Sequence, residues 1–201
     1  MAVNKHQQKT EATRRKLLAA ALRIFALDGF EAARIEDIAA EAGHTRGAFY
    51  ANFDTKEDLF LALLEENASH RLADLQQRLE KSPDGPPRLR TLRTFYLERA
   101  KDSQSVLLTL EFKLFALRHP KMRARLAAAH RRIRASLKDE SIVKLLPTRR
   151  HGESDMDKIL FEVALAGLVL EHAYDPKRIS AKQTADTLGR VFDLLISAAP
   201  S

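Results

Sequence analysis

The sequence predicts an all-α protein, and two features of its residue pattern support this. Apolar residues recur at intervals of three and four along the chain, which is the period of an amphipathic helix. The segments that carry them are rich in Ala, Leu, Arg, Lys and Glu, which favour helices, and no segment reads as a strand. The 201 residues include only 7 Gly and 7 Pro. These breakers are expected to mark the ends of helices.

Each predicted helix has a boundary with a physical cause. Gly29 can adopt the left-handed conformation that ends the first helix. Thr55 can open a long helix, because its hydroxyl can accept the amide N–H of Asp58. Three prolines within 82–87 end that helix, and Pro120 separates two later ones. The predicted helices cover 13–28, 35–41, 45–52, 56–81, 88–102, 103–118, 121–146, 155–174 and 181–197.

Composition excludes several classes of protein. There is no Cys, so disulfides, thiolate nucleophiles and Cys-based zinc sites are ruled out. The first ten residues lack the apolar core of a secretory signal, and the most apolar run, 159–170, is too short to span a bilayer, which takes about 20 residues. We therefore expect a cytoplasmic protein without membrane partners. No spacing of His residues predicts a metal site, no cofactor is expected, and no nucleophile with a base predicts an enzyme.

The net charge of +7 lies away from the N-terminus. Residues 1–60 hold 9 Lys and Arg against 9 Asp and Glu, whereas residues 61–150 hold 20 against 10. Part of this excess lies in the predicted helix 121–146, which could be a second nucleic-acid surface, a site for an anionic ligand or a solvated helix face; the last is the commonest role for such a face. Bulk charge therefore gives no argument that the N-terminus binds DNA.

The segment Ile35–Phe53 does indicate DNA binding, because its residue types predict a helix-turn-helix. Such a motif needs a small residue where two helices cross, a turn residue that tolerates positive φ, and apolar anchors for the second helix. The segment supplies them as Ile35, Ile38, Ala39, Gly43, Phe49 and Phe53. A helical hairpin that serves only as core is the alternative interpretation.

The remaining surface of the second helix would face DNA. Arg46 lies in its first turn, where a recognition helix meets base edges, and it can pair bidentately with guanine. The small residues Gly47 and Ala48 permit close approach, while Thr45 caps the helix near a phosphate position. Further polar side chains can donate to phosphate oxygens. The full predicted set is Arg34, Thr45, Arg46, Gly47, Ala48, Tyr50, Asn52 and Lys56.

The segment Arg34–Phe60 resembles the signature of the tetracycline-repressor (TetR) family. In one unbroken register it combines Asp-Ile-Ala, Ala-Gly, Thr-Arg-Gly, Phe-Tyr, Asn-Phe and Lys-Glu-Asp-Leu. The all-helical remainder is similar to the family in length and number of helices. The sequence departs from the family pattern at Arg34, His44 and Asn52, where the family usually has Ser or Thr, an aliphatic residue and His.

The resemblance implies a fold and an organisation. Residues 1–55 would form a three-helix DNA-binding domain, joined by the long helix to an all-helical effector-binding and dimerisation domain at 56–201. Because effectors of the family bind among the middle helices, a cavity there could be lined by polar and aromatic side chains. The candidates are Tyr96, Glu111, Phe112, Phe115, His119, His130 and Phe161.

The last two helices carry more apolar surface than a small domain needs, which predicts an interface. In the resembling family, these helices pair with their copies in a four-helix bundle, which implies a homodimer. The predicted interface residues are Val163, Leu165, Leu168, Val169, Leu188, Val191, Phe192 and Leu195.

The resemblance thus implies a ligand-responsive homodimeric repressor that a small-molecule effector releases from a palindromic operator. Two alternatives remain open at this point. One is a DNA-binding regulator of the same fold that is controlled by a protein partner. The other, from a different class, is an all-helical carrier of small molecules, which would not need Arg46, Tyr50 and Lys56 together on one side.

Overall fold

A computed structural model of the chain describes residues 5–136 and 153–197, and in this part all regular structure is helical, which confirms the all-α prediction. A short 3₁₀ helix, Arg99–Lys101, follows α5 directly. The α-helices are α1 Lys5–Ala32, α2 Ile35–Glu41, α3 Arg46–Tyr50, α4 Lys56–Glu80, α5 Pro86–Glu98, α6 Ser103–Arg118, α7 Pro120–Ser136, α8 Glu153–Tyr174 and α9 Ala181–Ser197.

Helix boundaries largely match the predicted ones. Helix α1 starts earlier than expected, at Lys5, and bends at Gly29, whose φ of 78° and ψ of 162° interrupt the helix before a final turn. Helix α5 begins at Pro86 because the first turn needs no N–H from proline. The part of the predicted helix 121–146 beyond residue 136 lies outside the described residues.

Contacts group the chain into two compact units. Within the part of the chain that the structure describes, the first consists of residues 5–70 and 111–135, and the second of residues 71–110, 136 and 153–197. Helix α4 therefore contributes to both. This grouping describes packing and not activity, so the functional boundary at residue 55 remains a prediction.

A cluster of aromatic rings forms the centre of the first unit. Phe30 lies 5.0 Å from Phe60 and 4.7 Å from Phe115 between ring centroids. Phe60 and Phe112 stack at 4.6 Å with an interplanar angle of 9°. Offset and edge-to-face contacts of this kind add stability beyond the area that the rings bury. Through them, α6 packs against α1 and α4 around the end of α1.

The second unit has a separate core, built by the later helices and the end of α4. Leu165 and Val169 of α8 and Leu188 of α9 are at most 1% exposed. They pack with Leu92 and Phe95 of α5. Within residues 5–136 and 153–197, none of the helices combines the length and the apolarity that crossing a bilayer requires.

Candidate nucleic-acid interface

The turn between α2 and α3 has the geometry that the sequence predicted. Gly43 has φ of 71°, where a side chain would be strained. Its N–H donates to the carbonyl of Ala40, while the N–H of His44 donates to the carbonyl of Ala39 at 2.8 Å. This pair of bonds is a Schellman motif, which ends α2 and turns the chain toward α3. Ala39 is 1% exposed, as a close helix crossing needs.

Helix α3 is short, and its two ends are held by different means. At its N-terminus the Thr45 hydroxyl accepts the N–H of Ala48 at 3.3 Å, which satisfies a donor that the helix leaves free. On its inner side Phe49 is fully buried, and Phe53 just beyond the helix is 5% exposed. Arg14 of α1 lies over the Phe53 ring, with its Cζ 4.4 Å from the centroid. These anchors fix which face of α3 remains outside.

Arg46 and Tyr50 occupy that outer face. The Arg46 side chain is 61% exposed, and its Nη1 lies 2.7 Å from Oε1 of Glu36 in α2. Its Nη2 donates to the Tyr50 hydroxyl at 3.2 Å. The pKa of Arg46 is raised by the hydrogen bond to Tyr50, by the electrostatic interaction with Tyr50 and by the attraction of Glu36. The guanidinium is thus oriented on the surface while remaining accessible.

The other residues predicted to contact DNA differ in their exposure and in whether their polar groups already have a partner. Thr45, Gly47 and Arg34 are exposed, and Arg34 provides no side-chain cap to α2. Ala48 is partly buried. The Asn52 amide Nδ2 donates to the carbonyl of Ala48 at 2.8 Å, so one of its N–H groups is already used within the first unit.

Lys56 does more than the sequence suggested. Its ammonium donates to the backbone carbonyls of Glu31 at 2.9 Å and Ala33 at 2.8 Å, at the end of α1. It also lies 4.9 Å from the centroid of the Phe30 ring. Burial lowers the pKa of Lys56, an effect opposed by Glu57, Glu31 and Glu111. Lys56 therefore joins the start of α4 to the end of α1, with one N–H left over.

The candidate pocket residues fall into two groups. Glu111, Phe112, Phe115, His119 and His130 belong to the first unit. There Phe112 and Phe115 are buried in the aromatic cluster at 2% and 7% exposure. The ring of His119 lies 4.1 Å from that of Phe115, and the ring of His130 lies 6.5 Å from that of Phe112.

The Glu111 carboxylate accepts the backbone N–H of Phe30 at 2.5 Å, so it has a structural partner. Tyr96 and Phe161 belong instead to the second unit, where their rings lie 5.2 Å apart. The seven side chains are therefore parts of two packed clusters, and their role as ligand contacts remains a prediction.

The predicted interface residues also divide, by exposure. Leu165, Val169, Leu188 and Phe192 are buried in the core of their own unit, so their side chains are not available to a second copy. Leu168, Val191 and Leu195 are partly buried against that core, whereas Val163 is 62% exposed. The exposed apolar side chains of α8 and α9 are Met156, Ile159, Leu160, Val163, Leu170, Tyr174 and Leu194.

Two residues at this site make contacts that the sequence does not predict. A glutamate on a short surface helix is usually a solvated charge, but Glu36 is paired with Arg46 across the turn. Arg14 donates to the backbone carbonyl of Asn52 at 3.4 Å, besides covering Phe53. Both contacts join segments that are separate in the chain, and local spacing contains no signal for them.

Comparison with known proteins agrees with this geometry. Residues 17–63 match the family model described as bacterial regulatory proteins, tetR family. The chain is 32% identical over 99 residues to the HTH-type transcriptional activator FasR of Mycolicibacterium smegmatis, which is 49% of this chain and 45% of that protein. It is 39% identical over 67 residues to the HTH-type transcriptional repressor AcnR of Corynebacterium glutamicum, which is 33% of this chain and 35% of that protein.

Solved structures share the fold over most of the chain. A transcriptional regulator from Rhodococcus sp. Rha1 superposes with a TM-score of 0.64 at 20% identity, covering 92% of this chain and 97% of that one. The regulator FadR from Bacillus subtilis, in complex with stearoyl-CoA, gives 0.63 at 17% identity, with 91% and 97% covered.

In sequence the chain spans less than half the length of the two curated relatives. All four proteins are named as regulators of transcription and none as an enzyme. Residues 17–63 are therefore similar to the tetR family of bacterial regulatory proteins.

Proposed function

We propose that this protein is a DNA-binding transcriptional repressor that reads a near-palindromic operator as a homodimer and is released by a small-molecule effector. One observation carries the proposal. Helix α3 is anchored by the buried Phe49, capped by Thr45, and presents Arg46 and Tyr50 on its exposed face. A short helix held in this way, with a cationic side chain in its first turn, is what insertion into the major groove requires.

In this proposal Arg46 reads a base and its neighbours position the helix. A guanidinium can donate two hydrogen bonds to O6 and N7 of guanine. Gly47 has only the Thr45 hydroxyl near the place of a missing Cβ, at 3.7 Å, so DNA can approach the backbone closely. Arg34, Thr45 and Tyr50 are exposed and suited to phosphate oxygens.

Dimerisation would occur through the exposed apolar face of α8. Within this face Val163 is 62% exposed, Met156 63% and Leu160 52%, although each is a residue that usually lies inside. Contiguous apolar surface of this kind is typical of an interface. A two-fold dimer would place two copies of α3 about 34–36 Å apart, which is one turn of DNA.

The effector is proposed from the fold and from the named ligand of one similar structure. FadR from Bacillus subtilis binds stearoyl-CoA in its solved complex, and it shares this chain's fold. An effector that binds one of two states more tightly shifts the population toward that state. Helix α4 contributes residues to both units, so it would take different positions in the two states. In the state that the effector favours, the spacing of the two copies of α3 would no longer fit the operator. Because the proposed ligand is operator DNA, the proposal includes a cytoplasmic location.

Selection of genomic DNA tests the proposal. The purified protein is mixed with sheared genomic fragments at one stated salt concentration, and the bound fragments are sequenced, since affinities for DNA depend steeply on salt. We expect a shared near-palindromic site with half-sites one helical turn apart. Recovery of fragments without any shared sequence would contradict the proposal.

A further inference from the structure

Glu36 has an unusual position for an acidic residue near a proposed DNA surface. It lies in the first turn of α2, and its Oε1 is 2.7 Å from Nη1 of Arg46. Its Oε2 is 4.0 Å from Nε of Arg34. One carboxylate therefore faces two arginines that are both expected to touch DNA, although a negative charge there repels phosphate.

We propose that Glu36 determines sequence specificity by holding the Arg46 guanidinium so that it binds DNA favourably only where a base offers two acceptors. This inference rests on the proposed reading of DNA by Arg46. It assigns to Glu36 a positioning role, exerted through Arg46 and not through a contact with a base.

The number of donors on Arg46 supports this assignment. A guanidinium has five N–H groups. Glu36 occupies one on Nη1 and Tyr50 one on Nη2, which leaves three. Guanine requires two donors, so Arg46 can bind guanine while both existing contacts remain. The two contacts also restrict the orientation of the side chain. They hold the Cζ of Arg46 over the Tyr50 ring, 5.4 Å from its centroid.

A contact between Arg46 and a DNA phosphate differs in free energy from a contact between Arg46 and guanine. Phosphate is an anion, and it would compete with a carboxylate that already pairs with Arg46 at 2.7 Å. Exchange of one anion for another brings little gain, and an uncompensated Glu36 beside phosphate costs free energy. The competition for Arg46 and the repulsion between Glu36 and phosphate are both stronger at a protein–DNA interface, where water is displaced and charges interact more strongly. Glu36 therefore penalises complexes that lack a base partner more than it penalises the specific complex, which is how repulsion creates specificity.

The chain offers a matched control on the same helix. Glu41 lies at the end of α2 and is also 43% exposed in its side chain, but it pairs with Arg23 of α1 at 2.7 Å. Glu36→Gln and Glu41→Gln remove the same charge from the same helix. Only Glu36→Gln removes a charge that pairs with Arg46.

The experiment measures affinity for two duplexes at one salt concentration. One is the duplex that the parent protein selects from a random-sequence pool, and the other is a scrambled duplex of equal length and composition. We expect Glu36→Gln to lower the ratio of specific to scrambled affinity by roughly three- to fivefold, the scale of an exposed ion pair. We expect Glu41→Gln to change both affinities by the same factor and to leave the ratio as it was.

A second background shows whether Glu36 acts through Arg46. In a protein that already carries Arg46→Ala, adding Glu36→Gln is expected to leave the ratio unchanged. Equal ratios for Glu36→Gln and Glu41→Gln, or an undiminished effect in the Arg46→Ala background, would overturn the inference while leaving the proposed function intact. If the parent itself selects no sequence, the proposed function fails, and the inference fails with it.

Discussion

The carboxylate of Glu111, in α6, accepts the backbone N–H of Phe30 at 2.5 Å, where α1 bends at Gly29. Phe30 is completely buried among the rings of Phe60, Phe112 and Phe115. One charged side chain thus satisfies a backbone donor beside an apolar cluster. The partners lie 81 residues apart in the chain, and their bond attaches a middle helix to the end of the first helix.

Removing the Glu111 carboxylate should destabilise the first unit. Glu111→Ala leaves the Phe30 N–H without its acceptor, at a cost of about 1–3 kcal/mol. Glu111→Gln keeps an acceptor oxygen and should cost less. Urea unfolding would measure both, with the exposed Glu65→Ala as a control for charge. Equal midpoints for Glu111→Ala and Glu65→Ala would show that the bond contributes nothing.

Gly29→Ala should also lower stability, for two separable reasons. The φ of 78° with a ψ of 162° is a conformation essentially reserved for glycine, and it costs a residue with a side chain about 1–3 kcal/mol. A Cβ at this position would also lie 2.6 Å from Oε1 of Glu111. The double variant with Glu111→Ala removes the second cause but not the first, so its loss should be smaller than the sum of the single losses. Additive losses in urea unfolding would contradict the proximity of the two residues.

Lys56→Ala should affect both folding and DNA binding. Loss of the ammonium leaves the carbonyls of Glu31 and Ala33 without that partner, so the urea midpoint should fall. The remaining N–H is available to a phosphate, so binding should weaken for all sequences, with the salt slope shallower by about 1. Titration of DNA binding against salt checks this. An unchanged slope would limit Lys56 to its structural contacts.

Two substitutions in α8 should separate assembly from folding. Val163→Glu places a charge on the exposed apolar face and should produce a folded monomer. Leu165→Ala, at a side chain 1% exposed, should lower the unfolding free energy by about 2–5 kcal/mol through a cavity. Light scattering and circular dichroism distinguish the two results. A Val163→Glu protein that stays dimeric at micromolar concentration would exclude this face as the interface.

Local signals predicted much of the fold. Helix α2 and the turn at Gly43 follow from small and apolar residues at short spacing, and the cap of α4 follows from Thr55, whose hydroxyl accepts the Asp58 N–H at 3.1 Å. These features depend on neighbours within a few residues. Secondary structure of this kind can be predicted from sequence because its causes are local.

The contacts that the sequence does not predict have causes that are distant in the chain. Helix α8 is apolar on more than one side. One stripe, formed by Phe161, Leu165 and Val169, faces the core of its own unit, and another contains the exposed Leu160 and Val163. The helical period of apolar residues is the same for both stripes, so the sequence alone cannot distinguish them. Glu111 could not be placed because its partner is a backbone group in another helix. Glu36 meets Arg46 only after the turn has folded.

The base preference of the Arg46→Ala variant tests the central claim most directly. Parent and variant each select from a random-sequence DNA pool at the same salt concentration, with Arg23→Ala as an exposed arginine control from α1. We predict that Arg46→Ala loses its preference at one base position in each half-site, while Arg23→Ala selects the parent's sequence. If Arg46→Ala selected the same sequence as the parent with equal preference at every position, α3 would not read DNA through Arg46.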